Sequence, residues 1–322
     1  MQNKVAIIGC GHWGKNLIRN FHGLGCLHAV SDATHQTASD IAAQYNVANY
    51  TLAEILQDAN VKAVVIATPA KTHFEIAKQA LAAGKHVFVE KPLTTDIDSA
   101  NKLVELANSK KLTLMTGHLL QYHPAYLKLK QAVDAGLLGK LRYIYTNRAD
   151  RNRIPQEESC LWDLAPHDFS MILGLVNEDP TEIYAESAIP QKPGIIDTTT
   201  IFLRFPSGLQ ARTFVSWLHP FKEQKMVVVG DKAMAVFDDT QDWKTKLMHY
   251  EHHIDEDNTI KATTGSIVLQ PAEPLKEECR HFIDCIETGA VCRTGGEEAL
   301  RVMHLLERGQ NSLLREESIA AV

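Results

Sequence analysis

Four apolar residues run straight into three closely spaced glycines in the stretch VAIIGCGHWG, residues 5–14, and no other part of the sequence restricts the fold so tightly. Gly9 permits a sharp turn at the end of a strand. Gly11 removes a Cβ where a bulky group approaches the backbone, and Gly14 lets the next helix pack close to that strand. A helix beginning near His12 aims its free N–H groups at the approach point, a setting suited to the pyrophosphate of a dinucleotide. A glycine-rich turn alone does not require a ligand. The surroundings must supply a strand before it, a helix after it and an acid about 20 residues on. Lys4–Ile8 reads as a short apolar strand, Leu17, Ile18 and Phe21 repeat at helical spacing, and the strand LHAVSD ends in Asp32. A carboxylate there accepts hydrogen bonds from the adenosine ribose and repels a 2′-phosphate. No arginine follows it in Ala33, Thr34 and His35, so NAD is expected over NADP. The same side chain is also placed to cap a helix starting near Thr34.

Strands and helices keep alternating through KAVVIATP, HVFVEKP and KLTLMTGH. Between them, Thr72-x-x-Glu75 reads as a capping box, Gly84 as a helix stop and Thr95-x-x-Asp98 as the next helix start. This alternation predicts a doubly wound parallel sheet, a Rossmann domain over residues 1–122, with its ligand at the carboxyl ends of the strands. Thr68-Pro69, Glu90-Lys91-Pro92 and Gly117-His118 all fall at such ends. After His123-Pro124 the pattern changes. Segments such as LRYIYTNRAD, DTTTIFLRF and KMVVVGD alternate with period two, and FPSGLQ and VGDKAM read as hairpin turns. An α+β domain on an open, mostly antiparallel sheet is expected over residues 123–322. It is interrupted by a helix from Leu161 to Leu175 and closed by helices near 274–288 and 296–315.

Two further motifs carry chemistry. Lys91 leaves a buried strand facing the expected cleft, where it can bond a substrate hydroxyl and favour a developing alkoxide. The plainer reading is a surface lysine paired with Glu90. In LWDLAPHDFSMI, Asp163 and His167 lie four apart, one face of a helix, and a carboxylate beside an imidazole suits proton transfer. The alternative is an ordinary helix-surface pair, and Pro166 suggests that the helix starts or kinks there. Arg148, Arg151 and Arg153 form a basic run that either binds a diphosphate or is simply solvated.

The chain has 322 residues, enough for two domains, and is 45% hydrophobic and 22% charged, as soluble globular proteins are. A net charge of -6 gives no footprint for nucleic acid or a membrane surface, and neither is expected as a partner. No signal sequence is read, so the six cysteines are expected as reduced thiols in the cytoplasm. Cys279, His281, Cys285 and Cys292 fit no common zinc spacing, and no metal is expected. An uncovered face on the second-domain sheet makes a homodimer or homotetramer the expected assembly.

G-x-G-x-W-G, then E-K-P, then D-x-x-x-H resembles the Gfo/Idh/MocA family of nicotinamide-dependent oxidoreductases over nearly the whole chain. The resemblance implies a catalytic trio of Lys91, Asp163 and His167, with His167 as general base. It implies cofactor contacts from Gly9, Gly11, His12, Trp13, Gly14, Asp32, Thr68, Pro69, His73, Glu90, Lys91 and Trp162. Expected substrate contacts are Lys91, Tyr122, Arg148, Arg151, Asp163 and His167. The family's H-x-x-D acid is replaced here by Ser170, and Asp168 is assigned no catalytic role. GHLLQYHPA and LWDLAPHD are similar to the sugar-nucleotide branch. That likeness implies a UDP-sugar substrate, with the C3 hydroxyl of UDP-N-acetylglucosamine oxidised to a ketone. Other UDP-sugars such as the glucuronic acid form, a free sugar or inositol, and a non-catalytic NAD(H) sensor are the competing readings.

Overall fold

In the computed structural model, which describes residues 4–151, 159–188, 190–191, 195–254 and 260–320, the chain divides into two units. One comprises Met1–Tyr122 with Glu273–Met303, the other His123–Ala272 with His304–Val322. The first begins β1 (Lys4–Ile8), α1 (Gly14–Gly23), β2 (Leu27–Ser31), α2 (His35–Tyr45), β3 (Ala48–Asn49) and α3 (Leu52–Gln57). It continues β4 (Val61–Ile66), α4 (His73–Ala82), β5 (His86–Glu90), α5 (Ile97–Lys110) and β6 (Leu114–Gly117). The strands pair in the order β3-β2-β1-β4-β5-β6, all parallel. Helices cover both faces, which is why β1 and β4 are near-continuous runs of buried Val, Ala and Ile. The strand order reverses between β1 and β4, and a crevice for a ligand opens there in such sheets.

The second unit starts with α6 (Pro124–Asp134), β7 (Leu141–Arg151) and α7 (Cys160–Val176). Seven strands follow: β8 (Glu182–Ser187), β9 (Thr198–Arg204), β10 (Gln210–Ser216), β11 (Leu218–Gly230), β12 (Ala233–Asp238), β13 (Leu247–Ile254) and β14 (Ile260–Ser266). The order is β14-β13-β12-β11-β7-β10-β9-β8, antiparallel except for the parallel pair β7 and β10. The Rossmann sheet and the mostly antiparallel sheet match the expected fold class. β13 and β14 escape sequence reading because segments such as HYEHH carry no apolar alternation.

Three local expectations are corrected. The last helices are α8 (Pro274–Thr288) and α9 (Gly296–Ala320). Residues 273–303 belong with the Rossmann unit rather than with the second domain. The reason is apolar: Phe282 is fully buried and its ring meets Phe21 at 6.4 Å and Phe88 at 5.7 Å. Thr72 stands at the N-cap of α4 but makes no capping bond, because its hydroxyl donates to the Pro69 carbonyl at 2.7 Å. α5 is capped by Asp96, which accepts from the Ser99 N–H at 2.8 Å, and not by Thr95.

The start of α6 is pinned by a buried polar cluster. His123 Nδ1 accepts the Ala125 N–H at 3.0 Å, so the ring proton sits on Nε2 and faces Asp239 Oδ1 at 3.2 Å. Burial alone would raise the Asp239 carboxyl, but His123 and Lys246 hold it down to about 2. A carboxyl held below its unfolded value of about 3.9 contributes stability that is present above that value and lost as pH falls toward 2. Asp239→Asn is therefore expected to cost about 2–3 kcal/mol at pH 7. The penalty should shrink steeply between about pH 4 and pH 2, read by denaturant titration at each pH. A penalty independent of pH would contradict this account.

Candidate functional site

The turn after β1 is shaped by contacts that leave no room for side chains. A Cβ on Gly14 would lie 2.0 Å from the Gly9 carbonyl oxygen, and one on Gly9 would lie 2.5 Å from the Ala67 carbonyl oxygen. These two glycines are required by the chain's own packing. Gly11 differs: a Cβ there meets nothing within 4 Å among the described residues. Its bare backbone borders open space ahead of α1, the geometry that an approaching pyrophosphate needs. α1 carries no acidic residue in its first turn, so the positive end of the helix is left for an anion.

Asp32 is locked beside this turn. Its Oδ2 accepts the Cys10 N–H at 2.7 Å and its Oδ1 accepts the Thr34 N–H at 2.8 Å. Each oxygen keeps a further lone pair for a ribose hydroxyl. The Thr34 bond fixes the chain just before α2, whose N-cap is Thr34 itself, and the carboxylate stays partly exposed.

Across the sheet, Glu90 ends β5 with its carboxyl buried and receiving the Trp13 indole N–H. The Lys91 N–H donates to its other oxygen at 3.3 Å. Burial pushes the Glu90 carboxyl up, against the opposing pull of Trp13 and Lys91. Trp13 is 39% exposed, so one ring presents an apolar surface to solvent while its nitrogen is fixed. Lys91 follows at the strand end, half-buried, and His12 is exposed at the turn.

Sequence reading places His73 against the cofactor, and this is corrected. The ring is 1% exposed, with Nδ1 2.8 Å from the Pro92 carbonyl and Nε2 2.8 Å from the Thr68 carbonyl. It joins the Thr68-Pro69 loop to the Lys91-Pro92 turn from beneath. Tyr122 is corrected likewise: it is 1% exposed, its hydroxyl bonds Thr294 at 3.0 Å, and Arg293 covers its ring.

Two further acids of the first unit, the partly buried Glu298 and the fully buried Glu278, carry no signal in the motifs. His118 Nδ1 meets Glu298 at 2.6 Å. Glu278 is fully buried, and neither of its oxygens has a hydrogen-bond partner among the described residues. Burial, with Glu90 and Glu298 adding to it, pushes its carboxyl well above the usual range. The signal lay in its position among Leu275, Cys279 and Phe282, the apolar face of α8.

In the second unit, α7 begins at Cys160 with Ser159 as its cap and runs through Pro166, rather than starting there. Trp162 and Asp163 occupy its first turns and are half-buried, as is His167 one turn further on. Asp163 Oδ2 accepts the Trp217 indole N–H at 3.1 Å. The adjacent Asp168 is 1% exposed and takes Arg148 Nε at 2.8 Å and Nη2 at 3.3 Å. This corrects the diphosphate reading of Arg148, whose guanidinium is buried and engaged inside the unit. Of Arg151 only the backbone is described, and Arg153 lies outside the described residues.

Comparison with known proteins gives this arrangement its class. Residues 3–118 match the oxidoreductase family with an NAD-binding Rossmann fold, and residues 126–236 match the GFO/IDH/MocA C-terminal domain. UDP-N-acetylglucosamine 3-dehydrogenase of Acidithiobacillus ferrooxidans is 32% identical over 290 residues, 88% of each chain. Inositol 2-dehydrogenase of Rhizobium meliloti is 25% identical over 333 residues, 99% of each chain. A crystal structure of the Acidithiobacillus enzyme superposes with a TM-score of 0.87 at 24% identity, covering 96% of this chain and 97% of that one. The chain belongs to the Gfo/Idh/MocA oxidoreductase family. It is an NAD-dependent dehydrogenase of sugar or polyol hydroxyls. Among the described residues, no helix is long and apolar enough to cross a membrane.

The Asp32 geometry sets the cofactor test. NAD should be used with higher kcat/KM than NADP, and Asp32→Ala should narrow that ratio by at least about tenfold, the loss of one charge-assisted bond. Equal efficiency with both cofactors in the unmodified enzyme would contradict it.

Proposed function

We propose that the substrate is a UDP-sugar and that the reaction oxidises the C3 hydroxyl of UDP-N-acetylglucosamine to a ketone. The observation that carries this reading is the 32% identity to an enzyme of that activity over 88% of both chains. The inositol 2-dehydrogenase, similar over a still larger share of the chain, supports the runner-up reading of a polyol substrate.

NAD, when bound, accepts the hydride from the substrate carbon. We assign its contacts to Gly9, Gly11, His12, Trp13, Gly14 and Asp32, with Thr68, Pro69, Glu90, Lys91 and Trp162 completing the set. Lys91 is proposed to donate a hydrogen bond to the reacting hydroxyl oxygen and hold down its developing negative charge. His167 takes the hydroxyl proton, and Asp163, fixed through Trp217, orients His167 or a neighbouring hydroxyl. Arg151 remains the candidate for a diphosphate.

Turnover is measured by NAD reduction across UDP-sugars, free sugars and inositols. Activity on UDP-N-acetylglucosamine and none on inositols is expected, and the reverse would overturn the reading. His167→Asn should lower kcat by about 10² to 10⁴ with little change in NAD affinity. An imidazole base works unprotonated, so kcat/KM falls on the acid side, and that limb should vanish in the variant. If the limb persists, Lys91 is the base instead.

We also propose that a second copy of the chain covers the outer face at β8 and β9. Tyr184 and Phe202 are cross-strand partners there, stacked at 6.2 Å and exposed by 44% and 41%. Light scattering should give a dimer or tetramer mass, reduced by Phe202→Lys. A monomer mass for the unmodified protein would refute this.

A further inference from the structure

His281, Cys285 and Cys292 are brought together at the end of α8, although the sequence pattern H-x₃-C-x₆-C matches no common zinc motif. His281 and Cys285 lie four apart on one face of the helix. α8 then stops at Gly289, whose φ of 71° reverses the chain and returns Cys292 to the same point. His281 Nε2 is 3.3 Å from Cys285 Sγ, and the three donor atoms all lie within 4.8 Å of one another. A tetrahedral zinc with bonds of about 2.3 Å to sulfur and 2.0 Å to nitrogen sets its ligands about 3.5–3.8 Å apart. The cluster needs to contract by less than a bond length.

The donors are also oriented for this task. His281 Nε2 accepts the Arg293 backbone N–H at 3.1 Å, so the ring proton sits on Nδ1 and Nε2, the nitrogen 3.3 Å from Cys285 Sγ, carries the lone pair for which a metal would compete with that N–H. The ring packs against buried Tyr122 at 5.4 Å, which limits its rotation. Cys285 and Cys292 are 1% and 9% exposed. Two thiolates and a divalent cation sum to zero charge, so the loaded site buries a neutral group where either thiolate alone would be costly. A cleft of about 450 Å³ borders both cysteines, together with His86, Thr113 and Leu114.

We propose that His281, Cys285 and Cys292 form a binding site for a thiophilic divalent cation, Zn(II), with water as its fourth ligand. Binding converts two thiols and the metal ion into two metal-bound thiolates and releases two protons, with no change in oxidation state. The Nε2 lone pair passes from the Arg293 N–H to the metal. The site would staple α8 to the segment that follows it. There the Thr294 carbonyl accepts the Thr116 N–H at 2.8 Å and Gly295 bridges Met115 in β6.

The full-length protein, reduced with a phosphine, is titrated with Co(II). One equivalent should produce thiolate-to-metal charge-transfer bands and the intense visible bands of a tetrahedral site, and Zn(II) should displace them. Cys292→Ser and His281→Ala should each weaken Co(II) binding by at least about 10²-fold, more than loss of a residue that merely supports a ligand. Zn(II) should raise the melting temperature of the unmodified protein and not that of Cys292→Ser. A silent titration of the unmodified protein overturns the proposal without recourse to any variant. So do bands that survive in both variants. A silent titration combined with a Cys285–Cys292 disulfide in air-exposed protein overturns it in favour of a redox pair.

Discussion

The Glu90 carboxyl is the group on which the first unit's cleft depends. It sits in the dry end of β5, takes the Trp13 indole N–H on one oxygen and the Lys91 N–H on the other. It also lies over β6, where a Cβ on Gly117 would approach its Oε2 to 2.8 Å. One side chain thus ties together the turn after β1 and the ends of β5 and β6. Hydrogen bonds in such surroundings are strong, and leaving a buried carboxyl without them is costly. His73 packs between the same segments, its two ring nitrogens facing the Thr68 and Pro92 carbonyls; burial favours the neutral ring, whose single N–H donates to one of them. Lys91 leaves the chain from inside this frame, so its starting point is set by the packing around Glu90.

The parts of this architecture that were legible in the sequence are those with local physical demands. A glycine turn, a strand, a helix and an acid at Asp32 each impose a condition on nearby residues, and the structure meets them within one β-α-β unit. What was not legible depended on distant partners. Arg148 reads as one cation in a basic run, yet the period-two alternation of β7 puts it on the same face as buried Ile144 and Thr146. Its partner Asp168 lies 20 residues away on α7. Tyr122 stands beside family motif residues, but a buried ring with a hydroxyl bound to Thr294 belongs to the interior. The Thr72 cap failed through close competition, the Pro69 carbonyl taking the hydroxyl. The thiol cluster is invisible in spacing because a left-handed Gly289 decides whether Cys292 returns.

Charge in the interior of the second unit follows a different logic. Burial pushes Asp168 up more than Arg148 brings it down, and neither group has water to fall back on. Removing one partner of such a pair leaves an unpaired buried charge, at a cost of about 3–5 kcal/mol. The pair therefore contributes little net stability while tightly fixing where α7 sits on β7.

That fixing matters because α7 is weakened at the same place. Pro166 has no N–H, so the helix forfeits the bond that would run back to the Trp162 carbonyl. The first turn is instead secured by Ser159 as its cap and by Asp163 on the Trp217 indole. The second is secured by Asp168 on Arg148. His167 stands between these anchors, one turn after Asp163 and immediately before Asp168. An intact helix ladder would allow the imidazole to move with α7 as a rigid rod. Here the helix on either side of Pro166 is anchored separately, Asp163 to the Trp217 indole and Asp168 to Arg148 in β7, so the backbone that carries the proposed base is positioned by tertiary contacts on both sides of a proline.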